Sequence, residues 1–430
     1  MCTGEKSDWV LLVGGANCSS CCKSSLLYNI RKGQVFPVRM PESTLVPGFE
    51  RYEQATVLTD KELVTFGGAT PGHPQGDVIH AEVRLENLPA YGDPTESIFP
   101  QSSVTPTPSG ISPRTQHTSA CLTEFGELVV FSGGGMGSCP VDDAKVHLYR
   151  IRERLWSALP TKGDDPPSNR MGHLMLYQPG DHSHLHGSTS TFYVHGGMAE
   201  MTFFDDFFRL EIERVRALCG DSVSMSPIQN RVHISEEGGE PQVAGTWHNV
   251  IGGAGSNGEG GSRPSPRAGH GGAVVVSPLH TPREGARPRH RVFVFAGVNA
   301  HGALNDLHYF DEGMWPVIAP SVRKANLIPI ISSQWTAVEV RQSVPPAARL
   351  DFAFTTLQLR VLNPNVKPEP ERIVSTFSIN SLSDELADEK NNSWQEGPVI
   401  WRNYLFIHGG MNTEQAIFND AFICCLDDDM

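Results

Sequence analysis

A short apolar run closed by glycine recurs six times along the chain, as VLLVGG, LVTFGG, LVVFSGG, FYVHGG, VFVFAG and LFIHGG. The closing glycines are Gly14 and Gly15, Gly67 and Gly68, Gly133 and Gly134, Gly196 and Gly197, Gly297 alone, and Gly409 and Gly410. Four or five consecutive apolar residues, too short for a helix and ended by glycine, predict a strand covered on both faces. The glycines supply positive φ and let a neighbouring backbone come close. The second glycines Gly68, Gly134, Gly197 and Gly297 are each followed nine residues later by Asp77, Asp143, Asp206 and Asp306. Gly410 finds Asp420 at ten, and Gly15 finds Ser24 at nine. Such a residue can accept N–H groups in the turn before the next strand.

Two further marks complete the unit. Upstream of five of the runs stands an arginine at the head of a strand: Arg51, Arg114, Arg170, Arg267 and Arg349. Between units, Trp156, Trp247 and Trp335 mark a fourth strand in LWSAL, TWHNV and QWTAV. A four-stranded sheet with two apolar faces cannot stand alone, so the units are expected to stack radially as propeller blades. A period near 50 residues with glycine and tryptophan marks is the kelch form. The predicted fold is all-β, a single six-bladed kelch propeller over 1–430 with blades at about 7–39, 51–105, 113–161, 169–250, 266–340 and 348–427. Stretches 213–245, 278–290, 316–332 and 361–398, rich in Pro, Gly, Ser and charge, read as insertions.

Composition narrows the functional classes. The net charge of −14 disfavours nucleic acid as a partner, because phosphate binding needs clustered Lys and Arg. No apolar run reaches membrane-spanning length and no signal peptide is evident, so a cytosolic protein is expected. The nine cysteines, an odd number with adjacent pairs, are read as reduced thiols.

Each chemical constellation has a plainer structural explanation. A ring of five guanidinium groups could receive a carboxylate or phosphate of a partner, and these arginines are the candidate binding residues. Equally, each could bond carbonyls or an acidic residue of the adjoining blade. His117, His173 and His270 follow three of the arginines at a fixed offset and are expected to be structural, since metal ligation requires three or four ligands within about 2.1 Å of the ion. The loop DHSHLH from Asp181 and the single CxxC of Cys18 and Cys21 do not amount to a metal site. Asp142–Asp143 and Asp205–Asp206 recur with the repeat and argue for folding; Asp427, Asp428 and Asp429 form a further acidic run. No catalytic residue, metal or cofactor is expected.

In order along the chain, VGGAN, RYEQAT, SPRTQHTS, SGGGMG, HGGM with FFDDFF, PPAARLDF and HGGMNTEQAIFND resemble the family of kelch-motif Rab effectors. The resemblance implies a six-bladed propeller that binds a GTP-loaded Rab GTPase, assists vesicle traffic from endosomes to the trans-Golgi network and associates peripherally with endosomal membranes. It implies no catalysis and transfers no contact residue. The alternatives are a galactose-oxidase-type enzyme, for which no Tyr-Cys couple aligns, and a ubiquitin-ligase adaptor, whose dimerisation domain does not precede Gly14. One departure stands out: blade one is expected to lack its first strand, and the last blade its tryptophan strand. Either the true start lies upstream, which is favoured, or the ring closes imperfectly. Partner selectivity is expected on one face, in the varied loops after the glycine pairs or at an arginine mouth opposite them.

Overall fold

The computed structural model describes the chain except for residues 1, 4–5, 18, 24, 42–47, 60, 72, 89–97, 100–104, 108–109, 118, 123–125, 136–138, 164, 179–186, 216–242, 252–262, 277–289, 312–333, 339–345, 363–375, 379–398 and 427–430. Nearly all of the four predicted insertions lies outside the described residues, as do Asp181 to His186 and the acidic run from Asp427. The described residues form strands and one 3-10 turn, with no α-helix. None of them belongs to a helix long and apolar enough to cross a membrane.

Six sheets of four or five strands follow one another along the chain, as in a kelch-type β-propeller. The first contains Cys2–Thr3, Lys6–Leu12, Ser25–Asn29 and Gln34–Val38. The second contains Ala55–Leu58, Glu62–Phe66, Val78–Glu82 and Thr105–Thr107, and the third Ser119–Leu122, Glu127–Phe131, Val146–Arg150 and Leu155–Leu159. The fourth orders Leu174–Gln178, Gly187–His195, Phe207–Val215 and Val243–Ile251, to which Thr161–Lys162 adds a short parallel fifth strand. The fifth contains Gly271–Val276, His290–Asn299, Gly302–Asp311 and Gln334–Val338. The sixth orders Ala353–Leu362, Val399–His408, Ala421–Cys425 and Thr376–Ser378.

The two incomplete sheets expected from the sequence each have four strands. In the sixth, Thr376–Ser378 takes the outer place beside Ala421–Cys425, so a stretch read as insertion fills the position that has no tryptophan strand. In the first, Cys2–Thr3 folds back on the edge of Lys6–Leu12. Neither segment carries the arginine or tryptophan mark, which is why the repeat pattern passed over both.

Packing between sheets explains the apolar runs. Val64 and Phe66 of the second sheet are buried against Leu128, Val130 and Tyr149 of the third. The third meets the fourth through Phe131, Leu148, Phe208 and Leu210, and the fourth meets the fifth through Tyr193, Phe207, Val294 and Phe310. Another cluster joins Trp9 and Leu27 of the first sheet to Leu63 and Ile79 of the second, and another joins Phe293 and Leu307 to Leu405 and Ile407. Val10 and Tyr28 of the first sheet pack on Leu357, Phe406 and Ile423 of the sixth, where the Tyr28 hydroxyl lies 2.9 Å from His408 Nδ1. Each tryptophan of the repeat reaches from an outer strand to the preceding sheet: Trp156 to Phe66, Trp247 to Phe131 and Trp335 to His195, with ring centres 4.9, 5.4 and 5.4 Å apart.

The glycine pairs are where one sheet's backbone passes over the next. The N–H groups of Gly15, Gly68, Gly133, Gly197 and Gly297 donate to the carbonyls of Arg51, Arg114, Arg170, Arg267 and Arg349, each in the following sheet. In the third sheet the equivalent pair is Ser132 and Gly133 rather than Gly133 and Gly134, since Gly133 makes the inter-sheet bond and Ser132 takes the left-handed φ of 48°. A Cβ on Gly67, at φ +64°, would lie 2.6 Å from both the Arg114 carbonyl oxygen and His117 Cε1. Gly67→Ala is therefore expected to cost on the order of 2–3 kcal/mol, read as a lower guanidinium midpoint with an unchanged slope.

Candidate functional site: the glycine-pair face

All five repeat arginines are buried. Arg267 shows the pattern: Nη1 donates to the Ala296 carbonyl at 3.0 Å and to Asp306 Oδ1 at 2.7 Å, Nη2 to Asp306 Oδ2 at 2.8 Å, and Nε to the Ser265 carbonyl at 3.0 Å. Arg51 forks onto Asp77, Arg170 onto Asp206 and Arg349 onto Asp420, each also holding the carbonyl of the first glycine of its pair. Arg114 holds Asp143 through Nη2 and the Ser132 carbonyl through Nη1. The planar guanidinium suits this task because it can satisfy a carboxylate and carbonyls at the same time. The repeat aspartates are thus the partners of the arginines, and each pair lies within one sheet, not between adjoining ones. Burial alone would push the Asp306 carboxyl up, but hydrogen bonds from Arg267 and His308 hold it well below the usual carboxylate range. The sequence carried the signal for this pairing: the one unit without an arginine also has Ser24 in place of the aspartate.

The arginine segments and the post-glycine loops occupy one face, not two opposite ones. In five sheets the residue after the arginine bridges the residue after the glycine pair: Tyr52 to Ala69, Thr115 to Gly134, Met171 to Met198, Ala268 to Val298 and Leu350 to Met411. The cause is strand direction, since an inner strand begins at the same end at which the second strand stops. Beneath this face the guanidinium groups are enclosed; above it the loops fold as tight hairpins, such as Met198–Ala199 with Thr202–Phe203.

Two residues past each arginine, the chain turns through positive φ, at Glu53, Gln116, Gly172, Gly269 and Asp351. These positions form a belt. Gly172 N–H donates to the Gln116 carbonyl, Gly269 to Gly172, and Asp351 to Gly269, at 2.8–3.0 Å. Glu53 is joined to it through Thr115 Oγ1 at 2.7 Å and Gln116 Nε2 at 3.2 Å. Asp351 keeps contact with solvent, yet the protein around it and the charge of Glu53 push its carboxyl up to about 7. A carboxyl raised above its unfolded value disfavours the native state progressively as pH rises between those two values. Asp351→Asn, which removes that charge and suits φ 51° at least as well, is expected to raise the thermal midpoint at pH 8 and leave it unchanged at pH 4.

The three predicted histidines are buried one step outward. His117 packs on Phe66 and His173 on Phe131, with ring centres 5.0 and 5.6 Å apart. His270 Nε2 lies 3.0 Å from Nδ1 of His195, a residue the offset pattern did not single out. Burial, then the charge of Arg114 and Arg267 respectively, pushes His117 and His270 down to about 3; burial likewise holds His173 and His195 well below the ordinary histidine value. Among the described residues no three His, Cys, Asp or Glu side chains stand together as a metal site. Cys21 lies in the first sheet's post-glycine loop, where burial pushes its thiol up.

No family model matches the chain. It is similar to the Rab9 effector protein with kelch motifs of Homo sapiens, at 29% identity over 206 residues, 47% of each chain. The protein of the same name from Xenopus laevis is 30% identical over 200 residues, 46% of this chain and 47% of the relative. That from Danio rerio is 31% identical over 212 residues, 47% and 52% of the two chains. The chain spans about half the length of the curated relatives it matches.

Proposed function

We propose that the chain is a non-catalytic scaffold that binds a Rab GTPase in its GTP-loaded state, its six sheets being the blades of a ring closed by packing of the sixth on the first. The observation that carries this reading is the similarity to proteins named as Rab9 effectors with kelch motifs. The geometry supports it in kind: uniform short hairpins of varied sequence stand on a rigid, latched framework, the arrangement in which partner selectivity resides. The buried, neutralised arginines belong to that framework, and the hairpins above them belong to the partner.

An effector prefers one nucleotide state only through contacts with switch segments that the γ-phosphate orders. In this reading the protein works from the cytosol, associates peripherally with endosomal membranes and acts in transport to the trans-Golgi network. The test is capture of purified GTPases from a Rab panel, each loaded with a non-hydrolysable GTP analogue or with GDP. Selective retention of one GTP-form Rab is expected; a folded protein that retains none refutes the effector reading.

A further inference from the structure

Three of the five large apolar side chains that stand exposed among the described residues lie in the post-glycine hairpins of the fourth and sixth sheets. Met201, at the tip of the fourth-sheet hairpin, is 90% exposed; Met411 and Ile417, at the base of the sixth-sheet hairpin, are 39% and 42% exposed. The fifth-sheet hairpin lies between them with Ala300 and His301 exposed, and a Cβ on its Gly302 would lie 3.8 Å from Thr413 Oγ1 of the sixth. These hairpins are held firmly. Asn412 Oδ1 accepts from the N–H groups of Glu414 and Ala416 at 3.0 and 2.9 Å, and Asn299 Oδ1 accepts from His301 N–H at 2.8 Å. Exposed apolar residues on pre-ordered loops lose little entropy when covered, and methionine adapts its shape to what covers it.

The three hairpins themselves carry charge of one sign, and the cation beside them, Arg263, is paired with Asp205 at 3.3 Å. Residues 198–206, 298–306 and 411–420 contain no Lys or Arg, while Glu200 and Glu414 are exposed beside the methionines. The five arginines beneath are buried and spent on aspartates.

We infer that the hairpins of sheets four to six form the docking surface, with Met201, Met411 and Ile417 as its apolar centre and Glu200 and Glu414 as its acidic rim. The occupant is a folded protein that presents an apolar patch bordered by Lys and Arg. A second copy of this chain would set the acidic rim against itself, at a net charge of −14 per chain, so like charges oppose self-association. The inference rests on the effector reading, since it names the surface that such a partner would cover.

The test uses the full chain as wild type, as Met201→Asp/Ile417→Asp and as Glu200→Lys/Glu414→Lys. The probe is the GTPase captured in the panel, loaded with the GTP analogue. Aspartates at the apolar centre are expected to weaken binding at least about tenfold. Charge reversal at the rim is expected to weaken it about five- to tenfold at low salt, with the difference disappearing at high salt as the charges are screened. Should the aspartate pair melt below wild type, the lysine pair decides, because Glu200 and Glu414 are exposed. Affinities within about twofold of wild type for both variants overturn the surface while leaving the effector reading intact. Concentration-dependent dimerisation of wild type that the aspartate variant abolishes makes a second copy the occupant and overturns it as well. Failure of every GTPase to bind wild type overturns the effector reading and this surface together.

Discussion

Between pH 8 and pH 5 the guanidinium midpoint of the protein is expected to fall steeply, because four histidines are buried without charge. His117, His173, His195 and His270 are between 1% and 5% exposed, and burial depresses all four. Below about pH 6.5 the unfolded chain takes up a proton at each histidine while the folded chain does not. Native stability therefore falls as pH falls through that value, and continues to fall toward the depressed folded values near 3. Each histidine contributes about 1.4 kcal/mol per pH unit in this window, so the four together remove on the order of 8 kcal/mol by pH 5. That is comparable with the whole stability of an ordinary domain. His117→Gln should reduce the dependence by about one proton, and a midpoint that stays level from pH 8 to pH 5 would show the histidines are not held as described. Asp306 acts in a separate window: its depressed carboxyl contributes stability that is complete above about pH 5 and is lost in stronger acid.

Arg267→Met is expected to lower stability by about 3 kcal/mol at neutral pH. The substitution leaves the Ala296 and Ser265 carbonyls without their donor and Asp306 without its counter-charge. The loss falls at the lower end of what a broken buried ion pair costs, because Asp306 is 40% exposed and can turn to water. Arg267→Lys should recover little of it, since an ammonium cannot bridge a carboxylate and two carbonyls from one position. Asp306→Asn should cost less than Arg267→Met, as the amide oxygen still accepts from the guanidinium. Denaturant titrations of the three variants check this order, and a lysine variant as stable as wild type would mean the fork geometry is unimportant.

Much of this framework was legible in the sequence because each repeat mark performs one local task many times. The glycine pairs recur because the N–H beside them must reach the next sheet's arginine carbonyl, as Gly197 reaches Arg267. The tryptophans recur because an outer strand needs a large wedge against the sheet before it, as Trp247 against Phe131. The shared task of arginine and aspartate is harder to see, although both are missing from the first unit, because their separation of 26 to 71 residues conceals a contact within one sheet. The SGGG run allowed two registers, and only the bond from Gly133 to Arg170 settles which glycine is which. Thr376–Ser378 joined the sixth sheet without any mark, since an outer strand needs only backbone hydrogen bonds. The docking patch left no trace in periodicity either: Met201 and Ile417 break no rule of the repeat, and their exposure depends on the turn geometry of the hairpins.

Hydrogen–deuterium exchange on the full chain, with each panel GTPase in its two nucleotide forms, would test the proposed role most directly. The expected result is protection that appears only with one GTP-form partner and falls on 198–203, 299–302 and 411–417, while the outer strands Gln34–Val38 and Leu155–Leu159 exchange as before. No protection with any GTPase, or protection confined to the opposite turns at 30–33 and 151–154, would contradict it.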